Sequence, residues 1–328
     1  LTPWETVKTH LEAAFEASGG IPDDGRILEI NSKSGLYPLA IAAMLYKKRI
    51  GAVDESAIDP AERLRLWDNV CRENIFVVAL TPMAEAITRR TLGGFRNIET
   101  NMLVCKNLVD TLKKEDGAMK AARKILRHFS ISGGFSAVVG NPPYQEITDS
   151  DSTRMPPVYN LFYDLAFACS DKVSLITPAR FLFDGGYTPA AWNRRMLADP
   201  HLKVLRYSQK ASAFFPNVDI KGGVAITLRD TSQTFGAIET FTTYPELNSI
   251  LQKVRRIEKA RNLSEVISPA LSFKLSPLMR KEHPESLDRL RTSCFTTLKE
   301  IFFKEKPDDG HEYVQLLGLI KNNRRSEE

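Results

Sequence analysis

The sequence has little of what would mark a disulfide framework, a metal centre or a membrane span. Its four cysteines are far apart and form no CxxC pair, and its five histidines are scattered, so we expect no metal site. Free thiols in a reducing cytoplasm are the simplest interpretation. No apolar run approaches the roughly 20 residues of a membrane-spanning helix, and the first residues lack the apolar centre of a signal peptide.

The sequence does have enough apolar material for a large core and a mild excess of positive charge. Its 328 residues are 43% hydrophobic and 26% charged, with a net charge of +5. This length suggests about two domains. The charge permits an anionic partner without requiring one, because local clustering matters more than the sum. The chain begins with Leu1 rather than Met, which is consistent with a fragment of a longer protein.

Strands and helices alternate along the first two thirds of the chain. Short apolar runs at residues 25–30, 74–80, 135–140 and 173–178 predict buried strands. Segments with apolar residues at helical spacing stand between many of them, including a basic helix predicted over residues 111–128. This alternation predicts an α/β fold, with a parallel sheet covered by helices on both faces.

The regular alternation ends near residue 236. The following segment is helical and basic, and then prolines and serines interrupt the pattern. We therefore divide the chain into an α/β domain of residues 1–236, opened by an N-terminal helix within residues 1–20, and a less regular, mostly helical region of residues 237–328.

The stretch VVGNPPYQ, residues 138–145, runs from an apolar strand directly into a stiff, extended elbow. Two consecutive prolines fix two φ angles and remove two backbone donors, and each keeps the residue before it out of the helical region. Ligands of open α/β sheets bind at such strand ends. The Asn141 carboxamide oxygen and the Pro142 carbonyl are two acceptors that suit an NH2 group, and Tyr144 offers a flat face on which a base can stack.

Two convergent acceptors would activate a poor nucleophile. The lone pair of an amine on an aromatic ring or a carbonyl is delocalised. Holding both of its N–H groups favours a tetrahedral nitrogen whose lone pair is aimed at an electrophile. The interaction strengthens as positive charge develops on the nitrogen, which is the condition for catalysis. A nucleobase amine or an amide nitrogen fits this description, and the alternative is a plain diproline turn with a surface tyrosine.

Residues 1–230 resemble, in order, the adenine-specific DNA methyltransferases of restriction–modification systems, in the branch that often fuses methylase and nuclease. The resemblance rests on ILEINSKSGLYPLAIA as cofactor loop, NPPYQ as catalytic loop, and ITPARFL with FFPNVDIKGGVAITL downstream. It implies a Rossmann-like fold that moves a methyl group from S-adenosylmethionine to the 6-amino group of an adenine flipped out of double-stranded DNA. It implies that residues 1–236 are the catalytic domain and that residues 237–328 are the start of a DNA-facing, target-recognition region. It also implies a flanking nuclease or specificity domain or subunit, with this chain as a piece of a bifunctional restriction enzyme.

The resemblance also assigns roles to individual residues. In the catalytic loop it implies that Asn141 and Pro142 hold the amine while Tyr144 stacks on the base. The implied cofactor contacts are Thr2 and Pro3 at the methionine carboxylate, Glu29 at the methionine amino group, Asn31, Ser34 and Gly35 in the cofactor loop, Asn107 near the adenine edge, and Asn141.

Basic residues beyond the catalytic motifs are candidates for DNA contact. Lys221 stands beside a Gly-Gly pair and could reach a phosphate, or the pair is an ordinary turn. A second cluster lies past the predicted sheet and consists of Lys253, Arg255, Arg256 and Lys259. Phosphate contact and a solvated helix face are both open for it, and contact would show as a strong salt dependence. The basic helix at residues 111–128 is better explained as a solvated face.

The sequence departs from the family pattern at the predicted cofactor site. Lys33 stands where a glycine is common. The acid that usually follows the second strand and holds the ribose hydroxyls is missing, since Ala79 and Leu80 stand there and only Thr81 can form a hydrogen bond. These departures favour weak cofactor binding or a different ribose contact. The alternative functions are a protein-glutamine, RNA or cytosine amino-methyltransferase, and a DNA-binding specificity module without turnover.

Overall fold

The computed structural model describes residues 1–146, 155–216, 218–255, 257, 303, 305–310, 318–320 and 324–326. The chain divides into two units, Leu1–Ser249 and Ile250–Glu328. Little of the second unit is among the described residues, so the prediction of a mostly helical end falls mainly outside them. Strands β8 (Gly318–Ile320) and β9 (Arg324–Ser326) are described there, and they pair antiparallel.

A seven-stranded sheet forms the centre of the first unit. Its strands, in chain order, are β1 (Ile27–Ser32), β2 (Ile75–Ala79), β3 (Asn101–Val104), β4 (Ala137–Gly140), β5 (Lys172–Pro178), β6 (Leu202–Ser208) and β7 (Val224–Asp230). Their spatial order is β3-β2-β1-β4-β5-β7-β6. The pairs among β1 to β5 are parallel, whereas β7 runs antiparallel to both β5 and β6.

The prediction of a wholly parallel sheet is therefore wrong for the last strands. A parallel neighbour requires a crossover connection, which is usually a helix. Between β6 and β7 the described chain forms only a short 3-10 turn, Ala211–Ala213. The chain consequently returns along the edge in the opposite direction.

Helices cover both faces of the sheet. Alternate residues of the inner strands point to opposite sides, and because both sets are apolar, each face packs against helices. Ile27 and Val77 belong to a core with helices on one side, and their neighbours Leu28 and Val78 belong to a core on the other. The helices are α1 (Trp4–Ala17), α2 (Leu36–Ile50), α3 (Pro60–Asn74), α4 (Pro82–Gly93), α5 (Leu108–Leu112), α6 (Gly117–His128), α7 (Tyr159–Cys169), α8 (Ala190–Ala198) and α9 (Pro245–Arg255). The prediction of a Rossmann-like α/β fold is confirmed.

Two helical segments differ from the sequence-based expectation. The pattern did not predict α3, although the Asp59 side chain accepts from two backbone N–H groups and Pro60 opens the helix, a common start signal. The helix predicted over residues 111–128 is two helices. Asp116 has a φ of +54°, and a Cβ at Gly117 would lie 2.1 Å from the Thr111 carbonyl oxygen, so the chain turns sharply there.

The described residues hold three free cysteines, all buried, as predicted: Cys71, Cys105 and Cys169. Cys294 lies outside the described residues. Within the same part of the chain, no helix is long and apolar enough to span a membrane, and no group of three or more metal-binding side chains comes together.

The strand order places a crevice between β1 and β4. From β1 the chain proceeds to β2 and β3 on one side, and β4 and β5 lie on the other. Ligands of open α/β sheets bind outside the carboxyl ends of the strands at such a reversal. The β1–β4 ladder extends to the pair Glu29 and Val139, and the strand ends beyond it form the edge where the predicted motifs lie.

Candidate functional site

The predicted catalytic elbow leaves the carboxyl end of β4 and is held in an extended form. The Val158 N–H donates to the Tyr144 carbonyl at 3.1 Å, and the Glu146 N–H donates to the Pro156 carbonyl at 3.1 Å. Gln145 and Pro157 form an isolated antiparallel bridge. The prolines restrict the elbow from within, and these backbone contacts fix it from outside.

Asn141 is fixed by two other residues of the predicted site. Its carbonyl oxygen accepts from the Asn31 side-chain amide at 2.9 Å, and its own side-chain NH2 donates to the Thr2 hydroxyl at 2.9 Å. Its Oδ1 atom is buried and has no hydrogen-bond partner among the described residues. The amide is thus oriented with its acceptor oxygen unused, in a place where an unmade hydrogen bond costs about 1–3 kcal/mol.

Tyr144 lies against an apolar wall on the same edge. Its ring contacts that of Phe215 edge to face, with centroids 6.3 Å apart and planes at 77°. Burial raises the pKa of Tyr144 well above its ordinary value, so the phenol stays protonated. The nearby Asn141 side chain moderates that rise, although no hydrogen bond of ordinary geometry reaches the buried Tyr144 hydroxyl. Phe215 was not among the predicted site residues, and the signal for it was the motif FFPNVDIKGGV.

Glu29 is a buried acid on β1, next to β4. Only 4% of its surface is exposed, and its Oε2 atom has no partner in the described part of the chain. Burial raises the pKa of Glu29 to about 8, while Ser32 and the charge of Lys33 oppose the rise. A cation placed beside this carboxyl would favour its charged form, so the site suits an ammonium group.

The predicted cofactor loop packs closely on α4. A Cβ at Gly35, where φ is +75°, would lie 2.9 Å from the Thr88 Cα atom. The Thr91 hydroxyl donates to the Ser34 carbonyl at 2.8 Å, and Ser32 and Thr88 share a hydrogen bond of 2.8 Å. The need for glycine at position 35 therefore comes from a neighbouring helix, and ligand contact by Ser34 and Gly35 stays a prediction.

A cavity of about 590 Å³ opens at the carboxyl ends of β2 and β3. Its wall includes the predicted residue Asn107, together with Pro82, Cys105, and Lys120 and Lys124 of α6. No carboxylate is among the described residues that line it. Thr81, the polar residue left near the missing acid, uses its side-chain oxygen to accept from the Ala84 N–H at the start of α4.

A buried network of hydrogen bonds links α1 to the rest of the first unit, and the sequence did not reveal it. His10 on α1 contacts the Tyr37 hydroxyl at 2.7 Å and Ser174 Oγ at 2.9 Å, and Ser174 donates to the Thr227 carbonyl at 2.8 Å. Burial lowers the pKa of His10 to about 3, so the ring is neutral. Since the Ser174 proton is used, His10 Nε2 carries the hydrogen and Nδ1 accepts from Tyr37. These hydrogen bonds connect α1, which follows Thr2 and Pro3, to α2 and to the sheet.

The predicted DNA-contacting residues lie in different parts of the chain. Lys221 is exposed in the loop before β7 of the first unit. Lys253 is exposed on α9, and Arg255 is the last residue of that helix. Arg256 and Lys259 lie outside the described residues. DNA contact by this set stays a prediction.

Comparison with known families identifies the region around the elbow. Residues 73–215 match the model of the Eco57I restriction-modification methylase. The matched segment is less than half of the chain, and it includes β2 to β6, the elbow and Phe215. No curated protein matches the sequence.

The chain is also similar to parts of larger solved structures. A nuclease-deletion mutant of the Type ISP restriction-modification enzyme LlaGI, in complex with a DNA substrate mimic, aligns at 14% identity with a TM-score of 0.49, over 77% of this chain and 25% of that one. The M protein of the Type I restriction enzyme EcoKI aligns at 14% identity with a TM-score of 0.46, over 73% of this chain and 46% of that one. The DrdV–DNA complex aligns at 15% identity with a TM-score of 0.49, over 71% of this chain and 27% of that one. This chain therefore spans between a quarter and a half of their length.

Proposed function

We propose that the chain is the catalytic part of a site-specific DNA methyltransferase, which moves a methyl group from S-adenosylmethionine to the 6-amino group of adenine in a restriction–modification system. The observation that carries this proposal is a pair of buried oxygens, beside the crevice between β1 and β4, that have no hydrogen-bond partner among the described residues. Asn141 Oδ1 follows β4 and Glu29 Oε2 lies on the adjacent β1. One is an acceptor for a neutral amine, and the other is an acceptor for a cationic one.

The cofactor would lie along the carboxyl ends of β1 to β3. Glu29 would bind its ammonium group, Thr2 and Pro3 would lie at its carboxylate, and the loop with Asn31, Ser34 and Gly35 would pass beneath it. Asn107 would contact the adenine edge in the cavity at β2 and β3. S-adenosylmethionine supplies an electrophilic methyl group on a sulfonium. The unpartnered Oε2 atom of Glu29 supports this fit, and the absence of an acid directly after β2 argues for a ribose contact unlike the usual one.

The elbow would bind the amine that receives the methyl group. Asn141 Oδ1 and the Pro142 carbonyl would each accept one N–H of the adenine amine, while Thr2 keeps the Asn141 amide in the orientation that this requires. Tyr144 would stack on the base, and its edge contact with Phe215 holds the ring in place. The nitrogen becomes cationic and acidic as it is methylated, so its proton can leave afterwards without a strong base.

The target adenine lies inside a duplex and would have to be flipped out of the stack. Lys221, Lys253, Arg255, Arg256 and Lys259 are the proposed phosphate contacts. We keep the proposed division into a catalytic domain of residues 1–236 and a DNA-facing region of residues 237–328, with a nuclease or specificity domain or subunit as partner. Double-stranded DNA is the proposed substrate and the cytoplasm the proposed location.

The experiment that tests this proposal offers S-adenosylmethionine labelled with tritium in its methyl group. Duplex DNA of mixed sequence, RNA and a protein mixture are supplied in parallel, and labelled nucleosides are separated after digestion. Label in N6-methyladenine of DNA is the expected result. Label in cytosine, RNA or protein glutamine would replace the proposed substrate. No transfer at all, together with intact DNA binding, would favour a specificity module without turnover.

A further inference from the structure

Two glycines, one from each of two Gly-Gly pairs, pack against the side chain of Arg180. Gly186 has a φ of +95°, and a Cβ there would lie 2.9 Å from Arg180 Cβ. Gly222 has a φ of +88°, and a Cβ there would lie 2.4 Å from Arg180 Cγ. Any side chain at either position would strike the arginine. Both glycine loops therefore lie directly against the aliphatic stem of Arg180, from two different parts of the sequence.

Backbone hydrogen bonds keep these loops in place. The Gly185 N–H donates to the Arg180 carbonyl at 2.9 Å, and the Ala179 N–H donates to the Gly223 carbonyl at 3.0 Å. Arg180 itself belongs to a short 3-10 turn, Ala179–Phe183, directly after β5. The stem is thus held on both sides, which removes much of the rotamer freedom that an arginine normally loses on binding.

The guanidinium group at the end of this stem has no anionic partner in the described part of the chain. Two other arginines of the same unit do have one, since Arg195 pairs with Asp164 and Arg229 pairs with Asp199. The Arg180 guanidinium instead lies over the ring of Tyr187, 5.8 Å from its centroid. Arg180 is partly exposed, so its charge can reach a ligand.

Arg180 lies near the catalytic elbow. Strand β5 pairs in parallel with β4, with Leu175 opposite Gly140, so the two carboxyl ends share one edge. The Tyr159 hydroxyl, next to the Val158 that fixes the elbow, would lie 3.3 Å from a Cβ at Gly186. Lys221, which precedes Gly222, is exposed on the same edge.

We propose that Arg180, with Lys221 beside it, binds a phosphodiester of the DNA strand that carries the target base. This inference rests on the proposed function. A guanidinium offers paired N–H donors that match two phosphate oxygens. Holding the phosphate next to a flipped nucleotide positions its base over Tyr144.

The salt dependence of DNA binding tests this assignment. The variants are Arg180→Gln, Lys221→Gln and Arg195→Gln, the last as a matched control because Arg195 is already paired with Asp164. Binding of the chain to a mixed-sequence duplex is measured over a series of salt concentrations in the presence of S-adenosylhomocysteine. The slope of log K against log salt is negative. We expect its magnitude to decrease by about 0.9 for each lost phosphate contact in the first two variants and to stay unchanged in the control.

A slope for Arg180→Gln equal to that of the unmodified chain would overturn the assignment. If Arg180→Gln does not fold, as judged by its thermal transition, Arg180→Lys replaces it. We expect that variant to keep the slope but to bind DNA several-fold more weakly, because lysine lacks the planar, paired N–H donors of the guanidinium. Unchanged binding would contradict the proposal. DNA binding with the expected slopes but no methylation by the unmodified chain would overturn the proposed function and leave this inference intact.

Discussion

The two halves of the site are built differently. The half at β4 and β5 is formed by stiff backbone, with the diproline elbow fixed through Tyr144 and Val158 and an acceptor left unused on Asn141. The half at β1 to β3 is formed by side chains from separate elements, and no acid directly follows β2. If the proposed function holds, the amine would meet a preformed site, whereas the cofactor would depend on a ribose contact unlike the usual one.

The largest expected effect is on the preformed half. Replacing Asn141 by Ala removes the free acceptor, and we expect methylation to fall by a factor on the order of 100–1000, as when one group that stabilises developing charge is lost. Binding of S-adenosylhomocysteine should fall far less. Labelled methyl transfer and calorimetry measure the two effects, and Asn97→Ala, an exposed asparagine, is the matched control. Turnover close to normal would remove Asn141 from the mechanism.

The cofactor loop should be sensitive to Gly35→Ala. At this position a Cβ would strike the backbone of Thr88, and φ is +75°. Gly19, in the turn after α1, also has a positive φ, +86°, but nothing lies within 4 Å of its Cβ position. We expect Gly19→Ala to cost about 1–2 kcal/mol of unfolding free energy and Gly35→Ala about 1–3 kcal/mol more. Urea unfolding measures both, and equal costs would show that α4 moves aside freely.

The buried Glu29 carboxyl predicts a pH effect on stability. Its pKa is raised to about 8 in the folded state from an ordinary 4.5. Between those values the folded state holds a proton that the unfolded state has lost, so stability falls as pH rises. His10, with a pKa lowered to about 3 from 6.5, acts in the opposite sense below pH 6.5. The Glu29 effect is therefore isolated between pH 6.5 and 8.

In that window we expect the free energy of unfolding to fall by roughly 1 kcal/mol per pH unit. Glu29→Gln should abolish this slope, since glutamine does not titrate. Chemical unfolding at several pH values measures it. An unchanged slope in the variant would mean that other groups cause it and that Glu29 is already ionised in the folded chain.

The smallest expected effect tests the missing ribose acid. Leu80→Asp places a carboxylate after β2, where it could accept from ribose hydroxyls. We expect cofactor affinity to rise about tenfold, in line with a charged hydrogen bond, while Leu80→Asn serves as the uncharged control. Calorimetry with S-adenosylhomocysteine measures the change. If affinity does not rise, the ribose is held elsewhere.

Much of the fold follows from local sequence. The apolar runs at residues 74–80, 135–140 and 173–178 carry their signals within a few residues, and the positions of β2, β4 and β5 were predicted from them to within two residues. The antiparallel direction of β7 was not, because pairing direction depends on a connection whose structure leaves no local pattern. The break at Asp116 was missed for a similar reason, since it depends on how closely Gly117 approaches Thr111.

The candidate site divides in the same way. Asn141, Pro142 and Tyr144 lie within four consecutive residues and were named from one motif, and the structure brings Thr2 and Asn31 to Asn141. His10, Phe215 and Arg180 are distant in sequence from the elbow. Their contacts come from segments far apart in the chain, so no spacing rule could reveal them. The motifs around Phe215 and Arg180 were quoted, but their contacts required a structure.

The most direct measurement is a structure of the chain with S-adenosylhomocysteine and a duplex that it methylates. We predict an adenine outside the helix, stacked on Tyr144, with its amine about 2.9 Å from Asn141 Oδ1 and the cofactor's ammonium at Glu29. A duplex bound with every base stacked, or a cofactor placed away from Glu29 and Asn141, would contradict the account.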